Sequence, residues 1–482
     1  MSLAAALEIG KSGLRIYQVA SEVTSENIAN VNTPGYSRQR VILESAPPST
    51  ANAFPLGTGV KISTVERYYD ALIQKQLVNA GTTSSYDSAR SQVLQQVEPV
   101  FNEIAQDGLG AAVTKFFNSW QDLSLNPTGQ AERQGVLGQA QNLVDQFNYV
   151  ARALNDTVAI QEESIQPQVD KINELVKNIS ILNGQIKTTE QIYGNANEMR
   201  DQRDYLIQQL AQNVGVQYAE NTDGTTDVYI TDNSMPRPAT VGPDDPKYYL
   251  VKGTQTGSLG ATAVAPRDVT VTDYLGNTSN VMDATAATPF YSQDTSGGKL
   301  WATLKMRDVT IPNYLKQVDD LASSLVSTVN TQHALGFTPT GGAGGNVFAA
   351  AGTTAATISL ALTSTTQIAA SGSATAPGDN SNAIAMAQLQ NTATMSGNTT
   401  NFSGYYNSLV STIGLDVQNA KTVVNQDNAF SKQLSALRES YSGVSLDEEL
   451  TDLIKYQRSY QASAKLITTV TDMMDTVINM MR

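Results

Sequence analysis

The chain has 482 residues, a formal net charge of −14 and no cysteine. The length predicts about two to four domains, and the acidic balance argues against a nucleic acid or an anionic membrane surface as a partner. The absence of cysteine excludes disulfides and thiol chemistry, and no apolar run is long enough to span a bilayer.

The first predicted element is an N-terminal helix whose apolar positions alternate at spacings of four and three. This is the period of a coiled-coil seam, but several seam positions are small or polar, so the helix alone would be marginal. The segment also lacks the apolar core and cleavage site of a secretory signal. The seam positions are Leu3, Leu7, Gly10, Leu14, Tyr17, Ser21, Thr24, Ile28 and Val31.

A set of helix-stopping residues follows, in the stretch "SENIANVNTPGYSRQ". Asn30 and Asn32 can satisfy backbone groups left open at the helix end. Pro34 pushes the preceding residue out of helical geometry, and Gly35 permits the chain to reverse. We expect Tyr36 to anchor the exiting chain on an apolar neighbour. A ligand-binding loop is the alternative, but the pattern favours a stop that fixes where the helix ends.

Several interior helices are predicted by their apolar spacing. Two short patterns cover about 86–107 and 111–124. A long seam then begins at Val136 and continues to Tyr193 with one four-residue stutter, which locally unwinds a left-handed supercoil. Pro167 should kink this helix or split it in two. Later helical patterns cover 315–329 and 409–437.

The segment 212–300 has a different pattern, with short apolar runs separated by Asp, Gly, Pro and Thr. An Asp-Gly pair in "TDGT" supplies a hairpin turn between two of these runs. The sequence therefore predicts a small antiparallel β domain inserted into a helical protein. A second Gly-, Ala- and Thr-rich region at 340–380 is expected to hold a hairpin and mobile loops.

A second terminal seam runs from residue 446 to the end of the chain. Ser445 and Glu448 form a capping-box pattern at its start. Two seams of similar length at opposite ends of the chain suggest that the termini pair with each other, whereas the alternative is that each packs separately on a globular core. The seam positions are Leu446, Leu450, Leu453, Gln457, Tyr460, Ala464, Ile467, Thr471, Met474, Ile478 and Met481.

The apolar stripe on both terminal helices is wider than a strict seam. Surplus apolar surface on a coiled coil requires further neighbours, so the pattern predicts self-assembly through the termini. The residues expected to form the subunit interface are Leu3, Leu7, Leu14, Tyr17, Ile28, Leu446, Leu450, Leu453, Tyr460, Ile467, Met474 and Ile478.

These elements predict an elongated, mainly α protein with an inserted β domain (α+β). Paired terminal coiled-coil helices form one end, a discontinuous helical bundle the middle, and the antiparallel β insertion the far end. The predicted units are 1–80 for the N-terminal core helix and its following loop region, 81–211 for the first part of the helical domain, 212–300 for the β domain, 301–440 for the returning helical part, and 441–482 for the C-terminal core helix.

The sequence predicts no catalytic, metal or cofactor-binding site. His333 is the single histidine, so a histidine metal cluster is impossible, and its place in "STVNTQHALGF" is typical of a helix end. The pairs Glu162–Glu163 and Asp319–Asp320 are adjacent in helical stretches, and adjacent residues point apart on a helix. We interpret them as solvated faces.

Several motifs resemble one family of axial proteins. The octapeptide Ala29-Asn30-Val31-Asn32-Thr33-Pro34-Gly35-Tyr36 matches the ANxxTPGY signature of the rod and hook proteins of the bacterial flagellum. Further segments resemble the hook-associated proteins of the hook–filament junction; the β insertion and Met199-Arg200 depart from the family pattern. These segments are "FFNSWQDLSLNPTGQAERQ", "NEMRDQRDYLIQQL", "VNTQHALGF", "GGAGGNVF", "PGDNSNA" and "SGVSLDEELTDLIKYQRSYQASAKLI".

The resemblance implies a structural adapter without enzymatic activity or cofactors. It implies a homo-oligomer in the flagellar axis that contacts hook protein on one side and the second hook-associated junction protein on the other. It also implies secretion through the flagellar type III export apparatus to an extracellular location, with an export chaperone on the C-terminal helix. No nucleic acid or membrane partner is expected.

Three alternatives remain open at the level of sequence. Another flagellar rod or hook protein would share the N-terminal signature, although segments 377–383 and 437–461 favour the junction protein. A secreted coiled-coil adhesin or effector would bind its ligand through the β domain. A carboxylate-dependent glycan hydrolase in the inserted domain is a third option, because a carboxylate pair cannot be recognised from one sequence.

Overall fold

The structure, a computed structural model, describes residues 3–48, 57–103, 107–231, 247–282, 297–351 and 353–480. Parts of the predicted β domain and the last seam position, Met481, lie outside these residues. The helices are α1 Leu3–Ala29, α2 Ala71–Val97, α3 Leu109–Leu125, α4 Gln130–Ile192, α5 Asn197–Asn213, α6 Gly298–Lys305, α7 Ile311–Ala334, α8 Ser381–Gln388, α9 Phe402–Ser442 and α10 Leu446–Met480. The protein is mainly α with an antiparallel β insertion, as the periodicities predict.

The two terminal helices pair as an antiparallel coil. Gly10 near the start of α1 lies against Ile467, the ring of Tyr17 stacks on Tyr456 with centroids 6.4 Å apart, and the end of α1 meets the start of α10. The first and last helices of the chain therefore lie together in one helix pair. Helix α1 ends at Ala29, two residues before the last predicted seam position, Val31.

A two-stranded hairpin that the sequence analysis did not predict packs beside α1. Strand β1, Gln39–Ser45, pairs antiparallel with β2, Val60–Arg67, and the register shifts once between Ile42 and Leu43. Gly59, just before β2, adopts φ +104°, and a Cβ atom built on it would lie 2.8 Å from Ser12 Oγ of α1. The hairpin thus covers one side of the coil.

Helix α2 begins at Ala71, whereas the spacing predicted a start near residue 86. The side chain of Asp70 accepts hydrogen bonds from the backbone of Leu72 and Ile73 and caps the helix. The first turns of α2 bury residues on two sides, against α5 and against α9. A helix buried on two sides has no single apolar stripe, so periodicity located only its second half.

Helix α4 has 63 residues and joins two separate cores. Its N-terminal half, from Val136 to Leu154, packs with α3, α7 and α9. Its C-terminal half, from Ile165 to Ile179, packs with α5, α6 and the β insertion. Of the two effects expected of Pro167, a kink or a split, the split does not occur, because the helix is continuous through this residue.

The β insertion forms two antiparallel sheets. The first contains β3 Gln217–Glu220, β4 Thr226–Thr231, β5 Lys247–Lys252 and β6 Gln255–Thr256, and the second contains β7 Ser258–Ala261, β8 Val269–Thr272 and β9 Thr278–Met282. The predicted Asp-Gly turn joins β3 to β4, with Gly224 at φ +81°. Asn183 of α4 donates to the carbonyls of Thr226 and Gly253 and so fixes this sheet to the helix.

The Gly- and Thr-rich region at 340–380 is irregular. Its described residues form isolated bridges, such as Phe348 with Leu360, and the strands of the expected hairpin do not form. His333, at the end of α7 as predicted, is fully buried; its Nδ1 lies 2.6 Å from Gly345 O and its Nε2 accepts from Ala369 N. Burial lowers the pKa of His333, so the neutral ring holds two loops together.

Candidate assembly site at the terminal coil

The contact face of the coil follows the small residues of α1. A Cβ atom built on Gly10 would lie 2.7 Å from Ile467 Cγ1, and one built on Gly13 would lie 2.8 Å from Ser463 Oγ. These glycines let the two helices approach closely. Ala20, Thr24 and Asn27 are buried on the same stretch of α1.

The larger predicted seam residues of α1 lie at the margin of this contact. Leu3, Leu7, Leu14, Tyr17 and Ile28 are all half-buried. The buried face of α1 overlaps the predicted seam at Gly10 and Thr24. It extends beyond the seam to Ala20 and Asn27.

Helix α10 presents most of its predicted seam to solvent. Leu453, Ile467 and Met474 are half-buried. A groove on the open side is lined by Gln18 and Ser21 of α1 with Leu453 and Tyr460 of α10. The remaining predicted residues, between 41% and 60% exposed, are Leu446, Leu450, Tyr460 and Ile478.

A buried asparagine closes the other end of the coil. Asn27 is 1% exposed, and its Nδ2 donates to Gln39 O and to Glu449 Oε2. Its Oδ1 accepts from the Tyr36 hydroxyl and from Gln39 N, both at 2.9 Å. One side chain therefore connects α1, the turn that follows it, β1 and α10.

The residues of the family signature build the turn next to this asparagine. Gly35 adopts φ +86°, and Asn30 Nδ2 donates to the Glu26 carbonyl at the end of α1, as predicted for a helix stop. The Tyr36 hydroxyl donates to Asn27, which is a polar anchor; the expected apolar neighbour of its ring stays a prediction. Other signature residues at this turn, described as exposed, are Ala29, Asn32, Thr33 and Pro34.

Arginines fix the turn to α9 and α10. Arg38 pairs with Glu448 at 2.7 Å and with Glu449 at 2.5 Å. Arg438 of α9 donates to the carbonyls of Gly35 and Tyr36. Because Glu449 is buried beside Asn27, its charge is balanced by Arg38 within the coil.

Aspartates of α5 fix the same turn to the helical domain. Asp201 accepts from Ser37 N at 2.7 Å and pairs with Arg67 at 2.6 Å, and Asp204 pairs with Arg67 at 2.9 Å. Burial raises the pKa of Asp201, against the opposing effect of Arg67. The orientation of the coil on the helical domain is thus held by ion pairs and backbone hydrogen bonds.

The pKa of a second carboxyl group, that of Glu26, is also raised where α1 meets α5. A hydrogen bond between the Glu26 and Glu198 side chains, together with burial, raises the pKa of Glu26 to about 7. Two carboxyl groups in contact cannot both ionise without repulsion. The contact between α1 and α5 therefore holds a proton near neutral pH.

Sequence reasoning missed Asn27, Arg38, Asp201 and Glu449. The amide of Asn27 lies where the seam of α1 ends, which was the available signal, since a buried polar residue in a seam can specify register. Within the described residues, no group of three or more His, Asp or Glu side chains could hold a metal ion. In the same part of the chain, no helix has both the length and the hydropathy to cross a membrane.

Comparisons with known proteins cover nearly the whole chain. A family model described as "Flagellar hook-associated protein FlgK helical domain" matches residues 94–348, which is more than half of the chain. The model "Flagella basal body rod protein" matches residues 7–36, and "Flagellar basal body rod FlgEFG protein C-terminal" matches residues 438–480. The last two matches coincide with the two halves of the terminal coil.

Curated relatives and a solved structure agree with these matches. The chain is 29% identical to flagellar hook-associated protein 1 of Bacillus subtilis, over 98% of this chain and 97% of that one, and 27% identical to the Escherichia coli protein, over 97% and 98%. The flagellar hook junction protein FlgK from Burkholderia pseudomallei is similar in fold, with a TM-score of 0.64 at 18% identity, over 76% of this chain and all of that one. The chain belongs to the flagellar hook-associated protein FlgK family.

Proposed function

We propose that this protein is a structural junction subunit of the bacterial flagellum, which polymerises through its terminal helices between the hook and the filament. In this role it is required for filament assembly and motility. The observation that carries the proposal is the antiparallel pairing of α1 with α10, which leaves a row of exposed apolar side chains along one side of the coil.

The exposed row is the reason for proposing assembly. Leu450, Ile454 and Tyr460 are each at least 41% exposed on a helix that is already paired. Contiguous exposed apolar side chains on a soluble chain mark interaction sites. The interface residues predicted from the sequence on α1 and α10 border this row, so neighbouring copies are the natural partners.

The proposed partners follow from the family. Hook protein contacts one face of the assembled subunit, and the second hook-associated junction protein contacts the other. The protein reaches this extracellular position through the flagellar type III export apparatus, and an export chaperone covers α10 beforehand. An amphipathic helix with an exposed apolar side is a suitable chaperone ligand.

Two alternatives are less well supported. A rod or hook protein would share the terminal matches, but the match over 94–348 is to the hook-associated helical domain. An adhesin would need a ligand site in the β insertion, and the described part of that insertion is fixed to α4 through Asn173 and Asn183. The role we propose is structural and not catalytic.

The test is capping of isolated hooks by purified protein. Replacing Leu450 and Tyr460 together by aspartate places charge on the exposed row, at side chains that are 49% and 41% exposed. We expect the variant to keep its helical circular dichroism and to lose at least tenfold in hook binding, measured by sedimentation and electron microscopy. Removing residues 1–30 or 446–482 should abolish binding and leave a folded middle.

The matched control is Ile192→Asp, which places the same charge on a side chain that is 66% exposed at the end of α4. This control should cap hooks as well as the parent chain does. Normal capping by the Leu450 and Tyr460 variant, or by the truncated chains, would contradict the assembly role of the coil.

A further inference from the structure

Helix α9 carries a second exposed apolar stripe, outside the terminal coil. Phe430, Leu437 and Tyr441 are each 50–51% exposed, and their spacings of seven and four place them on one side of the helix. The neighbouring Leu434 is buried against α2. The α9 stripe, defined as Phe430, Leu437 and Tyr441, therefore borders the groove between α9 and α2.

The side of α9 that bears this stripe is uncharged. Four of the charged residues of α9 contact other elements. Asp416 accepts from Tyr314, and Lys421 pairs with Glu98. Asp427 shares a hydrogen bond with Asp87 of α2, and Arg438 donates to the turn after α1. The spacing of 100° per residue places Lys432 and Glu439 on the opposite side from the stripe. A helix from an acidic chain that presents a neutral apolar side to solvent is suited to a neutral apolar partner.

The second half of α10 carries a stripe with the same spacing. Leu466, Met473 and Val477, again separated by seven and four, are between 42% and 52% exposed. Asp472 and Asp475 are the charged residues in this part of α10; Asp475 lies on the other side of the helix and Asp472 borders the stripe. Two stripes of equal spacing can interlock as knobs into holes.

The two stripes of one molecule cannot meet. Helix α10 is one continuous helix paired with α1 through Ile467 and Tyr456. Its Met473 lies about 40 Å along the helix from Leu446, at about 1.5 Å per residue. Bringing the α10 stripe onto α9 of the same chain would require breaking the coil, so the occupant must come from another molecule.

We propose that the α9 stripe is the docking surface for the α10 stripe of a second copy of this chain. The proposal rests on the self-assembly proposed above and names the surfaces that carry it. In the axial assembly proposed above this contact repeats head-to-tail, which leaves one unused stripe at each end. Such a contact adds subunits without limit unless the geometry closes a ring.

The absence of cysteine makes cross-linking a direct test. Leu437→Cys and Met473→Cys introduced into one chain should give a ladder of disulfide-linked oligomers after mild oxidation of protein assembled on isolated hooks. An equal mixture of the two single variants should give dimers only, because each chain then supplies one half of the contact. Either single variant alone should remain monomeric on a non-reducing gel.

The matched control moves the second cysteine to the other side of α10. Leu437→Cys combined with Asp475→Cys should give at least tenfold less cross-linked product than the pair with Met473→Cys. If the Met473 pair assembles on hooks but gives no ladder, the α9 contact is wrong and the junction role stands. If none of the chains, including the parent, binds hooks, the proposed function itself fails.

A charge substitution gives an independent readout. Phe430→Asp with Leu437→Asp should leave the isolated chain folded, because both side chains are already half-exposed, and should reduce its incorporation on hooks at least tenfold. Leu125→Asp, at a position 80% exposed at the end of α3, should incorporate normally. Normal incorporation of the α9 variant would overturn the proposal.

Discussion

Every hydrogen-bond donor and acceptor of the Asn27 side chain has a partner, although the side chain is buried in the coil. Its two amide protons and its carbonyl oxygen reach Gln39, Tyr36 and Glu449. A buried amide that is fully satisfied rigidifies its surroundings, whereas a partly satisfied one is costly. We infer that Asn27 fixes the register of α1 on α10 and, through Tyr36, the direction in which the chain leaves the coil.

Replacing Asn27 by leucine tests this role. The branching and the number of side-chain heavy atoms are conserved, but the two methyl groups are bulkier than the amide, and Glu449 and the backbone of Gln39 lose partners in a buried site. The variant should therefore lose about 2–4 kcal/mol of stability in the coil. Urea unfolding followed by circular dichroism would measure the loss. Asn32→Leu, in the exposed part of the same turn, should change stability by less than about 0.5 kcal/mol; equal effects of the two variants would contradict the assignment.

At the scale of elements, the coil depends on the close approach of two helices at Gly10. Glycine is about 1 kcal/mol less favourable than alanine inside a helix. At Gly10 this cost is offset by the close contact between the two helices. The glycine is accepted where Ile467 occupies the space that a side chain would need. The same residue type elsewhere in the molecule should behave differently.

Gly10→Leu and Gly138→Ala should therefore have opposite effects. The first forces α1 and α10 apart and should destabilise the coil by about 1–3 kcal/mol. The second lies in α4, where a built Cβ has no atom within 4 Å, and should stabilise the protein by about 0.5–1 kcal/mol. Thermal unfolding of both variants measures the difference.

Combining Gly10→Leu with Ile467→Ala should recover part of the loss, because the alanine makes room for the new side chain. A double variant no more stable than Gly10→Leu alone would show that the contact with Ile467 is not the cause.

At the scale of the whole molecule, stability is unevenly distributed. Helix α4 buries residues along its full length in two cores, whereas Glu449 and Val470 are the residues of α10 described as buried. Elements with few buried contacts open at lower free energy. The terminal coil is therefore the part of the isolated chain that should open most readily.

Hydrogen exchange should show this gradient. In the isolated chain we expect backbone amides of α1 and α10 to exchange at least tenfold faster than those of α4 around Phe147 and Ile172, measured by mass spectrometry. On assembly with hooks, the amides of α10 should slow toward those of α4. If the amides of α1 and α10 were as protected as those of α4 before assembly, the prediction that the termini gain order on assembly would be wrong.

Much of the fold could be predicted because its main signals are local. The terminal seams, the two halves of α4 and the Asp-Gly turn at Gly224 all follow from residues within a few positions of each other. The hairpin β1–β2 and the start of α2 were missed, because their faces are buried on two sides or shared with distant elements. The predicted seam included Gly10 and Thr24 but not Gly13, Ala20 or Asn27, because the spacing of large apolar residues gives little weight to small and polar positions.

The candidate site could be predicted less completely. The resemblance located the turn at Gly35, and local turn chemistry explained it. The partners of Asn27 are 12 residues away at Gln39 and 422 residues away at Glu449. Local sequence patterns do not predict hydrogen bonds between residues so far apart in the chain. The same holds for Asp201 and Arg67, which join the coil to the helical domain.

The length of α4 also has a mechanical consequence. Its 63 residues form a rod of about 95 Å, and a tilt of about 5° at one end would displace the other by roughly 8 Å at the usual rise per residue. One half is held in the core with α3 and the other in the core with the β insertion. A small rotation in the core with α3 would therefore produce a large displacement of the sheets of the β insertion.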